Sequence, residues 1–187
     1  MTSTLPDPTD SLTGADREAF EHMASARAYA EGRAQLGDVY VRMFNNPGVA
    51  ERVGALGEHL RFHGTLPDDI RELVILRFSM RAGFPYEWSH HQRPAHLAGL
   101  SQAEIDQLTA GDVPGSLPDD AQAVLEAVDV IVAKRVIPPG LLQRVTDAHG
   151  TAGAVEVVVL CGLYAIMGYM TTAFDIEIEE GLPRPAF

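Results

Sequence analysis

Cysteine is nearly missing from this 187-residue chain: Cys161 is the only one. That excludes an intramolecular disulfide, a dithiol redox cycle and a zinc site made of several thiolates. It also fits a reducing compartment, so a cytoplasmic location is expected. Basic residues are scarce too, with 14 Lys and Arg against 26 Asp and Glu and a net charge of −12. Such a surface repels nucleic acid and anionic lipid, so neither is an expected partner. An anionic substrate must then find a local cluster of Arg or His. Long apolar runs are also lacking. The longest, "AVEVVVLCGLYAIMGYM", carries Glu156 and is slightly short for a membrane span. It reads as a buried helix or strand. The opening "MTSTLPDPTDSLTGADREAF" has acids and prolines but no apolar run, so no signal peptide is expected there.

Hydrophobic residues make up 46% of the chain, enough for a globular core. Residues 1–14, with Pro6, Pro8 and Gly14 among small polar residues, read as a flexible arm. Residues 15–187 read as a single all-α domain. Helix punctuation recurs along it. Pro47 and Gly64 bracket one helix. In "TLPDDIRELVILRFSMRAG", Pro67 can open a helix, Asp68 and Asp69 favour its positive end, and Gly83 follows it. Pro85 and Gly99 bracket another, and "SQAE" from Ser101 to Glu104 is a capping box. "AQAVLEAVDVIVAKRV" is amphipathic, "PPG" breaks it, and "LLQRVTDAHG" makes a short helix. The valines at 157 to 159 favour a strand by propensity, whereas the length of the segment favours a helix. "RELVILRFSM" (71–80) and "VEVVVLCGLY" (155–164) form a weak internal echo, consistent with two degenerate helical repeats and with a second site at Glu156.

One stretch, "YEWSHHQRPAHLAGLS" (86–101), gathers the only tryptophan and three of the seven histidines. On a helix, Glu87 lies one turn from His91, close enough to orient the imidazole and exchange a proton with it. Such a pair can act as general acid and base near neutral pH. Tyr86 and Trp88 suggest a partly buried wall beside it. Glu72 falls where the polar end of its helix meets the apolar face. His59 and His63, four apart, could form one edge of a metal site with His91. Pro94 lies three residues after His91 and should kink or end the helix, which puts the direction of His91 in question.

These residues carry a resemblance. "LPDDIRELVILR", then "YEWxxH", then "AGLSQAEIDQL", over about 66–108, resemble the carboxymuconolactone decarboxylase family, which includes the AhpD-like alkylhydroperoxidases. The resemblance implies an all-α, AhpD-like helical bundle that assembles as a dimer, trimer or hexamer. In the AhpD-like branch a Cys-x-x-Cys motif opens the helix, a histidine follows the second cysteine by four, and a glutamate lies about twelve residues upstream. Here His91 takes the histidine place, Glu72 the upstream glutamate's, and Phe84 and Glu87 take the places of the two thiols. A thiol peroxidase needs a nucleophilic thiolate and a resolving partner, and neither Phe84 nor Glu87 can serve.

The resemblance to the decarboxylase branch, with its Tyr-Glu-Trp helix start, implies a cofactor-free lyase or isomerase acting on a small unsaturated lactone or keto acid. His91 would then be the acid–base group, Glu87 would orient and charge it, and Glu72 would hold or relay a proton. Phe84, Tyr86, Trp88, His90 and Arg93 would line the pocket, with Arg93, Arg81 or Arg77 holding a substrate carboxylate. No cofactor is expected. Two alternatives stand beside this reading: a metal-dependent oxygenase or hydrolase using His59, His63 and His91, and a non-catalytic oligomeric binding protein.

Overall fold

Ten consecutive residues of one helix, Ile70 to Ser79, are buried, and that helix organises the rest. The computed structural model describes residues 3–26 and 36–187. Residues 1 and 2 of the arm, and 27–35 of the domain, lie outside the described residues. After a short 3-10 turn at Thr9–Ser11 come α1 (Gly14–Ala26), α2 (Asp38–Met43), α3 (Pro47–Phe62), α4 (Asp68–Ala82), α5 (Pro85–Leu97), α6 (Gln102–Thr109), α7 (Asp119–Val132) and α8 (Pro139–Ala173). The fold is all-α, an AhpD-like helical bundle, with no strand among the described residues.

A helix that is apolar all round belongs inside a bundle. Accordingly α4 packs against α5, α6, α7 and α8. Its Leu73, Val74, Ile75 and Leu76 are each at most 1% exposed, and burying each such side chain contributes roughly 1.5–3 kcal/mol. The charged residues among them are all partnered. Arg77 is 1% exposed, and its guanidinium donates to both carboxylate oxygens of Asp129 at 2.8 and 2.7 Å and to the carbonyls of Gly111 and Asp112 at 2.9 Å. This fully satisfied fork fastens α4 to α7 and to the loop before it. Arg81 binds the same aspartate.

The helix ends follow the sequence signals. Asn46 caps α3 and Pro47 fills its first turn, while Gly83 closes α4 in the left-handed region at φ 72°. Ser101 and Glu104 form the reciprocal capping box of α6. Pro94 does not end α5, which continues to Leu97. Without an N–H it forgoes the bond to the carbonyl one turn back, and the helix closes at its C-cap Ala98, whose amide donates to the carbonyl of Pro94.

Two expectations need correction. Over its described part the arm is docked: the Thr4 amide and the Ser3 hydroxyl donate to the carbonyl of Phe174. Leu12 joins a second apolar cluster with Phe44 and Ile176, so an apolar anchor holds what composition alone makes loose. The valine-rich segment is helical but not wholly buried. It continues the helix that starts at Pro139, with a break at Gly150 (φ 69°, ψ 174°). Its inner face packs on α4 and α7, while its outer face leaves Val155 and Tyr169 62% and 65% exposed. Tertiary packing has overridden the strand propensity of the valines. By length and composition α8 could cross a membrane, although only 33% of its most apolar window is buried within the chain.

The echo between 71–80 and 155–164 falls on two helices that pack together, but the aligned glutamates do different things. Glu156 accepts hydrogen bonds from the amides of Thr65 and Leu66, just before α4, at 2.8 to 3.1 Å. It anchors that turn, and it lines no cavity with Glu72. Gly64 makes the contact possible, since a Cβ there would lie 2.9 Å from the Glu156 carboxylate and 2.7 Å from the carbonyl of Leu60.

Candidate active site

The buried start of α4 and the first turns of α5 point their polar side chains into one hollow of about 120 Å³. Arg71 and Glu72 come from α4, and Tyr86, Glu87, His90 and His91 from α5. Leu160, Leu163, Tyr164 and Met167 come from α8. Val39 and Tyr40 of α2, with Leu60 and Arg61 of α3, complete the wall. One side of the hollow is therefore aliphatic, and the other is crowded with proton-exchanging groups.

His91 stands at the centre. Its Nδ1 is 2.7 Å from Oε2 of Glu72, and its Nε2 is 2.9 Å from the hydroxyl of Tyr164. The tyrosine ring meets the imidazole edge-on at 5.0 Å between centroids. Glu72 is 2% exposed, and its other oxygen accepts from Nε of Arg71 at 3.3 Å. Arg71 in turn donates to Asp68 and to the carbonyl of Arg61. Arginine supplies only donors, so Glu72 accepts on Oε1. With the proton of a neutral imidazole on Nδ1, Oε2 of Glu72 accepts from it and Nε2 accepts from Tyr164; with the proton on Nε2, the tyrosine oxygen accepts instead. The sequence places Glu87 as the partner of the imidazole, but Glu72, from the neighbouring helix, takes that role. The i,i+4 spacing brings Glu87 to the same cavity without making the bond.

Glu87 instead stands alone. It is 3% exposed, and its Oε1 finds no hydrogen-bond partner among the described residues. Burial, followed by the nearby charge of Glu179, pushes its carboxyl up to about 8. At neutral pH it is thus a neutral acid facing the cavity, able to donate. Burial also raises Tyr164 well above an ordinary phenol, reinforced by Glu72 and then by Tyr40 and Glu87. Tyr164 therefore keeps its proton unless it can pass that proton to His91.

His90 belongs to a second cluster. Its Nε2 lies 2.7 Å from Oε2 of Glu179, and its ring stacks on Tyr86 at 4.3 Å. The Tyr86 hydroxyl donates to Oε1 of Glu179 at 2.8 Å and accepts from the amide of Val39. Burial opposes the charge on Glu179, but the His90 hydrogen bond and charge, then the Asp38 amide and Tyr86, hold it down at about 2. This cluster ties the C-terminal segment to the start of α2 beside the cavity.

Three residues expected in the pocket lie elsewhere. Phe84 fills a notch in α8, where a Cβ on Gly168 would come within 2.2 Å of the ring. Trp88 belongs to the hydrophobic core and meets Phe187 edge-on at 6.0 Å. Arg93 lines an adjoining, more open hollow of about 680 Å³, with Gln92, His96 and Glu180, that shares Gly37 and His90 with the first. Arg77 and Arg81 are committed to Asp129; the guanidinium groups at the cavity belong to Arg61 and Arg71. His59 and His63 face each other at 6.3 Å between ring centroids. They do not join His91, and no metal-holding group of three or more His, Cys, Asp or Glu occurs among the described residues. Cys161 is buried outside the cavity, its thiol pushed up to about 12 by burial. Tyr164 and Glu179 went unnoticed in the sequence. The one local hint of Tyr164 is a hydroxyl on a helix face otherwise occupied by Leu160, Leu163 and Met167.

Residues 47–129 match the model of the carboxymuconolactone decarboxylase family. The matched stretch runs from α3 into α7 and contains Glu72, Glu87 and His91 on the α4–α5 frame described above. Over this stretch, which is less than half of the chain, the protein is similar to the carboxymuconolactone decarboxylase family. Tyr164 and Glu179 lie beyond the matched stretch. No curated protein matches the chain in sequence. Among solved structures, the debrominase Bmp8 in complex with 2,3,4-tribromopyrrole, with a cysteine replaced by alanine, superposes with a TM-score of 0.74 at 15% identity over 90% of each chain. Apo Bmp8 gives 0.73, also at 15% identity and over 90% of each chain. ATU0492 from Agrobacterium tumefaciens, a protein of unknown function ascribed to AhpD-type antioxidant defence, gives 0.64 at 19% identity, over 72% of this chain and 93% of its own. At these identities the likeness is one of fold.

Proposed function

We propose that this protein is a cofactor-independent acid–base enzyme, a lyase or isomerase of the carboxymuconolactone decarboxylase type. The observation that carries this reading is the 2.7 Å contact of His91 with Glu72 at the wall of a partly open cavity. An imidazole held by a carboxylate can accept or deliver a proton near neutrality. Decarboxylation or isomerisation of an unsaturated lactone or keto acid needs a proton moved at carbon and an acid beside the enolate oxygen. His91 and Glu72 supply the first, and Glu87 the second. Cavity size narrows the substrate, because an apolar cavity of about 150 Å³ accommodates benzene and this one is about 120 Å³. A compact, single-ring compound suits that space, with Arg61 and Arg71 bringing positive charge for a carboxylate.

Thiol chemistry is not part of the proposal, since Cys161 lies outside the cavity and resists ionisation. The test is a screen of small unsaturated lactones and β-keto acids for carbon dioxide release and for solvent deuterium uptake at carbon. His91→Ala and Glu72→Gln should each lower turnover about 100-fold or more while leaving the helical fold unchanged. Full activity in both variants would end the proposal.

A further inference from the structure

His91 has no free nitrogen. Nδ1 is taken by Glu72 and Nε2 by Tyr164, so a substrate in the cavity cannot hydrogen-bond the imidazole without breaking one of these contacts. Tyr164 lines the cavity. With the imidazole proton on Nδ1, the tyrosine O–H points at Nε2 and its oxygen lone pairs remain for whatever occupies the space. Glu87 lines the same space with an oxygen that finds no hydrogen-bond partner among the described residues.

We infer that Tyr164 is the catalytic residue that meets the substrate, and that the cavity performs a 1,3-proton transfer on a small β,γ-unsaturated lactone or ketone. This rests on the acid–base reading of the site given above. In the forward step a proton leaves the α-carbon for the Tyr164 oxygen as the tyrosine's own proton passes to Nε2 of His91. The resulting imidazolium lies against the Glu72 carboxylate. The dienolate oxygen accepts a hydrogen bond from the Glu87 acid. In the return step Tyr164 delivers its proton to the γ-carbon and regains one from Nε2. One proton has moved, one double bond has shifted, and no oxidant, reductant or second product is required. The high resting pKa of Tyr164 suits this role, because the phenol stays protonated between turnovers and loses its proton only in concert with a gain.

The probe is α-angelica lactone, a five-membered β,γ-unsaturated lactone, followed by proton NMR in deuterium oxide. The wild-type protein should convert it to the conjugated isomer with deuterium at the γ-carbon. Tyr164→Phe keeps the ring and removes the hydroxyl, and it should lower kcat about 100-fold or more with little change in KM. His91→Ala should cost as much, and the double variant no more than either alone, because the two act as one unit. If Tyr164→Phe stays active while His91→Ala does not, the tyrosine assignment falls and the acid–base site survives. If His91→Ala and Glu72→Gln are both active, the underlying reading falls with it. A wild-type protein that leaves the lactone unchanged while acting on β-keto acids overturns the isomerisation. A substrate-free check is the nitrogen-15 NMR of His91, where the neutral ring should carry its proton on Nδ1. A proton on Nε2 would reverse the Tyr164–His91 hydrogen bond and overturn the relay.

Discussion

Glu87→Gln is the most direct probe of the site, because it can be read without knowing the substrate. In the folded protein the Glu87 carboxyl is raised to about 8 by burial and by Glu179. In the unfolded chain it returns to an ordinary value of about 4.3. Between those values the folded state holds a proton that the unfolded state has released. Stability is therefore fully present below the unfolded value and is lost as pH rises toward the folded one. The slope is at most about 1.4 kcal/mol per pH unit for one proton, accumulating to something on the order of 4 kcal/mol by pH 8. Gln has nearly the same shape and no charge to bury, so the variant escapes that loss. The other titratable groups around the position, namely Glu179, Tyr86, Tyr164 and the Glu72–His91 pair, are common to both proteins and largely cancel in the difference.

Urea denaturation of the two proteins from pH 5 to pH 9 at constant ionic strength tests this, provided that the slopes with denaturant agree. The margin of the variant over the wild type should grow by roughly 1.4 kcal/mol per pH unit from about pH 5 to about pH 8 and then stay constant. A difference that does not change with pH would mean that Glu87 is ionised and solvated in the native state. The neutral acid invoked for the enolate would then not exist.

Other consequences concern the frame. Gly168→Ala would drive a methyl group to within 2.2 Å of the Phe84 ring; repacking should cost about 1–3 kcal/mol and lower the melting temperature by several degrees, measurable by circular dichroism. Arg77→Ala would empty a 1% exposed position, leave Asp129 to Arg81 alone and take the Arg77 donor from the carbonyl of Asp112; a loss of about 1–3 kcal/mol is expected in chemical denaturation, whereas Arg144→Ala, which breaks a half-exposed pair with Glu126, should cost less than about 1 kcal/mol. The outer face of α8 exposes Val155, Val158, Ile166 and Tyr169 at spacings that form one apolar seam; the expectation that a second copy covers this seam predicts that Ile166→Glu sediments more slowly than the wild type, and an identical coefficient would show that the seam is not a contact between copies.

The frame was legible because its signals are local. Pro47, Pro85, Gly83, Gly99 and the Ser101–Glu104 box each fix a helix end through neighbours a few residues away. The site was legible only in part. Glu72, Glu87, His90, His91 and Tyr86 could be read out because α4 and α5 adjoin in the chain and their residues share one cavity. Their pairing could not, since helical spacing gives which residues share a face and says nothing of a neighbouring helix that competes for the same imidazole. Tyr164 and Glu179 arrive from 73 and 89 residues away from their histidine partners, and no period within α5 could signal them. Phe84 and Trp88 misled for a related reason. An aromatic beside a polar cluster suggests a pocket wall, but both serve the core, one against Gly168 and the other against Phe187.

Two glutamates at one cavity do opposite work, and their neighbours assign it. Glu72 sits among donors, with Arg71 on one oxygen and His91 on the other, so it is built to accept a proton's charge from the imidazole. Glu87 has no donor on Oε1 among the described residues and a second carboxylate nearby, so it is built to keep its proton. A carboxyl held by donors beside a second that burial keeps protonated is an arrangement that suits separate acid and base roles in one site. In the resemblance to the AhpD-like branch, Glu87 occupies the place of the second thiol and Phe84 the place of the first. The Phe84 ring now lies in a notch of α8 that a small residue would leave empty. A returned cysteine pair would therefore open a void in the core at one position and remove the neutral acid at the other. The packing and the chemistry at these two positions agree: neither Phe84 nor Glu87 can carry the thiol chemistry of a redox pair.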